Sequence, residues 1–345
     1  MLSIFRPLVS GSYDNPYVGV ADRVPEDVRT SEALTRDITV KPLHSHNDYW
    51  RKEPLFDALR AGCQSVEADV WYFEKEYKVE RTETRSTRGQ GPGGRHPDFK
   101  FSRGEVYVGH NQIYLKPQDT LNNLYLDPLF DLLSYANPTY VQRDGKVEDS
   151  WHESKNSVFY NSPETPLYFW LDIKTDPRAT YNALKPHLKR FKDAGYLAYF
   201  DRASNKYVPG PVIVTLSGNI PWDEIENEEQ SYVFVDAPLV QFRSGSKRKD
   251  LEKYKRLSVV ASGSLRDMLG DESYEKSARE GLSAEQESVV KSYLDTAHSY
   301  GLKTRIWEGV NWPLKVRRNQ LESLWRIGSD LLNVDDLYDA SHIDL

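Results

Sequence analysis

Thiols are scarce in this chain of 345 residues: Cys63 stands alone, beside two methionines. A single thiol excludes an intrachain disulfide and any zinc site built on several thiolates. Long apolar runs are missing too. The opening MLSIFRPLVSGS is broken by Arg6 and Pro7, and nothing approaches the roughly 18 apolar residues a spanning helix needs. No transmembrane segment is expected, and a leader cleaved earlier would leave secretion open. Neither sign of charge dominates, since 45 Lys and Arg stand against 52 Asp and Glu for a net charge of -7. That balance argues against nucleic acid as a partner and against a purely electrostatic grip on an anionic membrane. What is present is 39% hydrophobic and 12% aromatic residues, enough to bury a sizeable core in a globular, soluble chain.

Short apolar runs alternate with stretches of helical period. The runs are VKPLH (40–44), QSVEADVW (64–71), LYFWLDIK (167–174), PVIVTLS (211–217), YVFVD (232–236), LSVVAS (257–262), LKTRIW (302–307) and LLNVDD (331–336). Helix-like stretches such as DPLFDLLSYA and SAEQESVVKSYLDTAHSYG lie between them, several closed by glycine. Strand then helix, repeated over eight strands, predicts an α/β fold, a (β/α)8 TIM barrel whose chemistry sits at the carboxyl ends of the strands. An open doubly wound sheet is the alternative. Residues 1–36 read as an amino-terminal extension, and 37–345 as one domain. Residues 74–104, rich in charge, Gly and Pro, read as a mobile insertion after the second strand.

Alternation by two along a strand puts chemistry on one face. His44 and His46 share a face at the end of the first strand, Glu67 and Asp69 on the second, and Asp172 and Lys174 on the third; His110 ends a short strand, EVYVGH, after the insertion. Any one of these pairs alone is commonly a solvated or core feature. Together, at the ends of neighbouring strands, they point to a site, and three gathered carboxylates call for a cation. Oxygen ligands favour Mg²⁺ or Ca²⁺. Asp236, Asn333 and Trp307, at later strand ends, are candidate orienting or substrate residues, and so is His44. Trp71, Trp307 and Trp312 suit a substrate cleft, although core aromatics are commoner.

HSHNDY (44–49), PLFDALRAGCQSVEADVW (54–71), VYVGH (106–110), LYLDPL (124–129), LDIK (171–174) and LLNVDDL resemble the phosphatidylinositol phospholipase C-like phosphodiesterase superfamily. Within it the chain is most similar to the altered inheritance of mitochondria protein 6 group, related to glycerophosphodiester phosphodiesterases and sphingomyelinase D. The resemblance implies that His46 and His110 are catalytic acid and base with Lys174, and that Glu67, Asp69 and Asp172 hold a divalent cation with Asn47 as a further ligand. It implies a metal-dependent phosphoric diester hydrolase or lyase acting on a phospholipid or glycerophosphodiester-type substrate, with peripheral membrane contact open. Asn47 and Asp48 replace the Arg and Gly that follow the first histidine of glycerophosphodiesterases, and no closing motif of sphingomyelinase D is found.

Two rivals remain. A metal-dependent amidohydrolase also starts from HxH, but needs later strand-end histidines that IVTLSG, FVDAP and VVASG lack. A catalytically inactive phospholipid-binding barrel is the other.

Overall fold

The protein is described here by a computed structural model covering residues 29–79, 99–141, 143–148, 154–243, 249–343 and 345. Strands form at all eight expected places: β1 Lys41–Ser45, β2 Cys63–Tyr72, β3 Leu167–Ile173, β4 Val212–Gly218, β5 as Phe234–Val235 with Ala237–Pro238, β6 Val260–Ser264, β7 Lys303–Trp307 and β8 Leu331–Val334. Each pairs in parallel with its predecessor, and β8 returns to β1 through Ser45 and Val334. That pairing excludes the open doubly wound sheet. Near Asp236, Phe234–Val235 pairs with β4 and Ala237–Pro238 with β6, so the sheet is nearly closed and barrel-like.

Val66, Ala68 and Val70, with Leu171 and Ile173, face outward into the main core between sheet and helices. Alternate residues face inward, where Tyr168, Ile213, Phe234, Val260 and Leu331 make a second apolar cluster. Ala198 and Phe200 join that cluster from a small antiparallel sheet of Tyr199–Asp201, Lys206–Val208 and Gln230–Ser231, absent from the sequence reading. It plugs the barrel at the amino ends of the strands.

The helices begin and stop where local chemistry dictates. Asp176 caps Pro177–Asp193 by accepting from the Ala179 N–H at 2.8 Å. Ser283 and Gln286 form a reciprocal capping box on Ala284–Ser299, and Gly328 (φ +105) follows Leu314–Arg326, a backbone angle that favours glycine.

Of the expected extension, residues 1–28 lie outside the described residues; Ser31–Thr35 is a short helix whose Thr35 hydroxyl donates to the Val158 carbonyl at 3.0 Å. Of the expected insertion, residues 80–98 lie outside the described residues. Its flanks Tyr77–Val79 and Phe99–Phe101 pair as an antiparallel ribbon. Phe73, Phe101 and Tyr107 pack together beside it.

Candidate active site

The register of the sheet assembles the site. Asp69 on β2 pairs directly with Asp172 on β3, and Glu67 lies one inward position earlier. One oxygen from each of Glu67, Asp69 and Asp172 lies within 4.8 Å of the others; among the described residues this is the one such acidic or histidine cluster. Lys174 Nζ stands 2.8 Å from Asp172 and 3.1 Å from Asp69, and the Ser217 hydroxyl donates to Asp172 at 2.8 Å.

Val106–Val108 adds antiparallel to β2, and its continuation carries His110 to Asp69, Nδ1 to Oδ2 at 3.3 Å. The Gly109 N–H donates to the Asp69 carbonyl at 3.1 Å and fixes that approach. The Tyr49 hydroxyl bridges the centre, 2.8 Å from Asp69 and 3.3 Å from His110 Nδ1, with the Asn47 side-chain oxygen also in reach. Asn47 thus borders the triad. Its backbone is left-handed (φ 48), a conformation asparagine tolerates, and it turns the chain from β1 into the loop.

The two first-strand histidines separate. His46 Nδ1 meets Asp335 at 2.7 Å and its Nε2 lies 3.9 Å from Glu67. His44 is fully buried, with Nδ1 2.7 Å from Ser65, Nε2 3.0 Å from Glu67, and its ring edge-on to Trp170. It therefore reaches His46 only through Glu67, and the group that directly orients His46 is Asp335. Burial, then Arg305, pushes His44 down to about 3, so this imidazole is neutral.

Beneath the triad, Arg305 donates to Asn333 at 2.8 and 3.1 Å and to Glu67 at 3.4 Å, with its guanidinium 4.6 Å from the Trp170 ring centre. Burial works against ionised Glu67, but Arg305 and His44 outweigh it and hold the carboxyl below its ordinary range. Asp69 goes the other way. Burial, with Asp172 and Glu67 adding to it, outweighs Lys174 and pushes Asp69 up to about 6. Asp236 accepts from the Ser262 N–H at 2.9 Å, and burial pushes it up to about 7. Asn333 and Asp236 thus lie below the mouth as supports. Trp307 (38% exposed) and Trp312 (75%) stand on the surface, which corrects the expectation of buried aromatics; half-buried Trp71 donates to the Gly109 carbonyl.

Three carboxylates, Lys174 and two histidines thus gather at the strand ends, with oxygen atoms able to ligate a cation and imidazoles able to exchange a proton. The chain matches the AIM6-like phosphodiesterase domain over residues 32–91 and 89–236. It belongs to this family. Altered inheritance of mitochondria protein 6 of Saccharomyces cerevisiae strain S288c is 35% identical over 331 residues, covering 90% of this chain and 72% of its own length. The proteins of the same name from Lachancea thermotolerans, 36% identical over 332 residues (90% and 67%), and Eremothecium gossypii, 34% over 310 (88% and 70%), are similar to the same degree. No solved structure matches the chain. The family lies within the phosphatidylinositol phospholipase C-like phosphodiesterase superfamily, as the motifs implied. No described helix is long and apolar enough to cross a membrane.

In this AIM6-like domain three site residues escaped the sequence reading. Tyr49 stood within the HSHNDY motif, beside residues already singled out. Asp335 stood in LLNVDD, where the alternation that marks Asn333 as inward marks Asp335 as well. Arg305 sits between Thr304 and Ile306 on β7, and only barrel closure aims it at Glu67.

Proposed function

We propose that this protein is a metal-dependent phosphoric diester hydrolase or lyase acting on a phospholipid or glycerophosphodiester-type substrate. The observation that carries this reading is the Glu67, Asp69 and Asp172 triad, flanked on one side by His46 with Asp335 and on the other by His110 with Tyr49. The donor set fits a hard divalent cation, Mg²⁺ or Ca²⁺. It is all oxygen, and among the described residues the three clustered carboxylates have only Lys174 and Arg305 as cationic partners, which leaves negative charge in excess. Such an ion, when bound, supplies positive charge against the phosphoryl oxygens.

The chain's own residues do the rest. Asp335 accepts the Nδ1 proton of His46 and so presents Nε2 to the site, where it exchanges a proton with the attacking or leaving oxygen. His110, anchored through Nδ1 at Asp69, is the opposite partner. Lys174 offers its ammonium to the phosphoryl group. Attack by water gives a hydrolase, and attack by a neighbouring substrate hydroxyl gives a cyclic phosphate and a lyase.

An amphiphilic substrate is supported by exposed apolar side chains around His110: Trp50, 61% exposed and 5.4 Å from its ring, and Ile113 and Tyr114 just beyond. The amidohydrolase reading has no such support, because both ring nitrogens of His44 are already occupied. The test is a screen of lysophospholipids, glycerophosphodiesters, sphingomyelin and inositol lipids with Mg²⁺ or Ca²⁺, resolving free from cyclic phosphate. Turnover of none of these, or turnover unchanged in a strong chelator, overturns the reading.

A further inference from the structure

A cavity of about 200 Å³ lies behind His46, between the ends of β7 and β8 and helix Leu314–Arg326. His46, Asn333 and Asp335 form its wall toward the candidate active site; Gln320, Leu324 and Ala340 lie on the wall away from it. Gln320 is 2% exposed, and its Oε1 accepts from the Val310 N–H at 2.8 Å, which fixes the orientation of the amide. Its Nε2 is then the unused donor, with no partner among the described residues. A buried amide donor is costly to leave unpaired, so this one marks the place of an acceptor.

The acidic side chains on the wall already have partners. Asp335 faces His46 and takes Arg51 on its carbonyl, Asp339 faces Arg317 and Arg318, Asp336 faces Arg317, and Glu308 faces Arg266. A quaternary ammonium or a phosphate would find no uncompensated partner there, whereas hydroxyls, which both donate and accept, would. The loop that lines the cavity is held in place: Glu308 has a left-handed backbone (φ 61), unusual for its type, and is pinned by Ser264, by Arg266 and, at its carbonyl, by Tyr274.

We infer that this cavity binds a neutral polyhydroxyl group, either a free polyol or the alcohol arm of a phosphodiester whose phosphate lies at the carboxylate triad. The second source rests on the phosphodiesterase reading; the first does not. The test is equilibrium binding to the full chain by ligand-observed NMR, without added metal, using glycerol, myo-inositol, choline and glycerophosphoinositol as probes. Saturable binding of a polyol, with none of choline, is expected. Gln320→Met should weaken it about tenfold, the loss of one hydrogen bond. Because that change also frees the Val310 N–H, Ala340→Leu, which fills the cavity and leaves Gln320 in place, is the second variant and should abolish binding. Tighter binding of glycerophosphoinositol than of myo-inositol identifies the headgroup as the source; equal binding identifies the free polyol. No polyol binding, choline binding as well as the polyols, or binding untouched by both variants overturns the inference. Since nothing here depends on turnover, an inactive enzyme that binds polyols fails only the phosphodiesterase reading, and an active one that does not fails only this one.

Discussion

The floor and the mouth of the barrel are built on the same strands and differ in almost everything else. On β3 the inward residues run Tyr168, Trp170, Asp172; on β4 they run Ile213, Thr215, Ser217; on β8 they run Leu331, Asn333, and Asp335 just past its end continues the series. Two residues along a strand is about 6–7 Å, and over two such steps the interior changes from an apolar floor to a polar mouth that carries Asp172 and Asp335. The floor derives its stability from area removed from water, of the order of 1.5–3 kcal/mol for each large side chain. The mouth holds clustered carboxylates that oppose folding unless cations stand among them. Stability and chemistry thus share strands without sharing a layer, and the layer of a residue foretells what its loss will do.

The sharpest way to break that contrast is at the triad. Asp69→Asn or Asp172→Asn should lower turnover roughly 10³-fold or more while leaving the melting temperature unchanged or raised, because each removes a crowded charge. Variants that unfold, or that keep activity within tenfold, would show that the mouth is a structural layer after all. His46→Ala and His110→Ala should each cost on the order of 10²–10⁴ in turnover, and the double variant little more, since acid and base act as one unit. Additive losses in steady-state kinetics would mean that they serve separate steps.

The opposite signature belongs to the floor. Phe234→Ala should lose about 3–5 kcal/mol in denaturant unfolding with kcat of the folded enzyme unaltered. A kcat loss at full occupancy of the native state would join the layers. Asp335→Asn, which weakens the acceptor on His46 Nδ1, should reduce kcat about tenfold to a hundredfold with KM little changed. A KM effect alone would make Asp335 a substrate contact.

The last test sits at the boundary. Asp236 is raised from 3.8 to about 7 by burial, so the folded state holds its proton more tightly than the unfolded one. That contribution to stability is full below about pH 4, is lost as pH rises toward 7, and is flat above. Asp236→Asn should flatten this slope in melts at pH 5 and pH 8; a slope that persists in the variant assigns it to other groups.

Legibility followed the range of the interaction. Glu67 with Asp69, and Asp172 with Lys174, were readable because period two along one strand needs no partner. His110 was readable as the end of a strand, but its approach to Asp69 depends on antiparallel pairing of Val106–Val108 with β2. The plug of Tyr199–Asp201, Lys206–Val208 and Gln230–Ser231 was not readable, because strands of two or three residues leave too little periodicity to detect.

From the sequence alone come the eight strands, the face each side chain takes and the grouping of acids and histidines at strand ends, all consequences of alternation and of turn and cap chemistry within a few residues. The tertiary structure alone decided register and closure. Pairing Asp69 with Asp172 rather than with a neighbour two positions away is a property of two strands packed together. His46 and Asp335, 289 residues apart, meet only because β8 returns to β1. Arg305 reaches Glu67 across the interior for the same reason: inside a closed sheet the inward side chains converge on one axis, and each one's partner is set by the curvature of the whole.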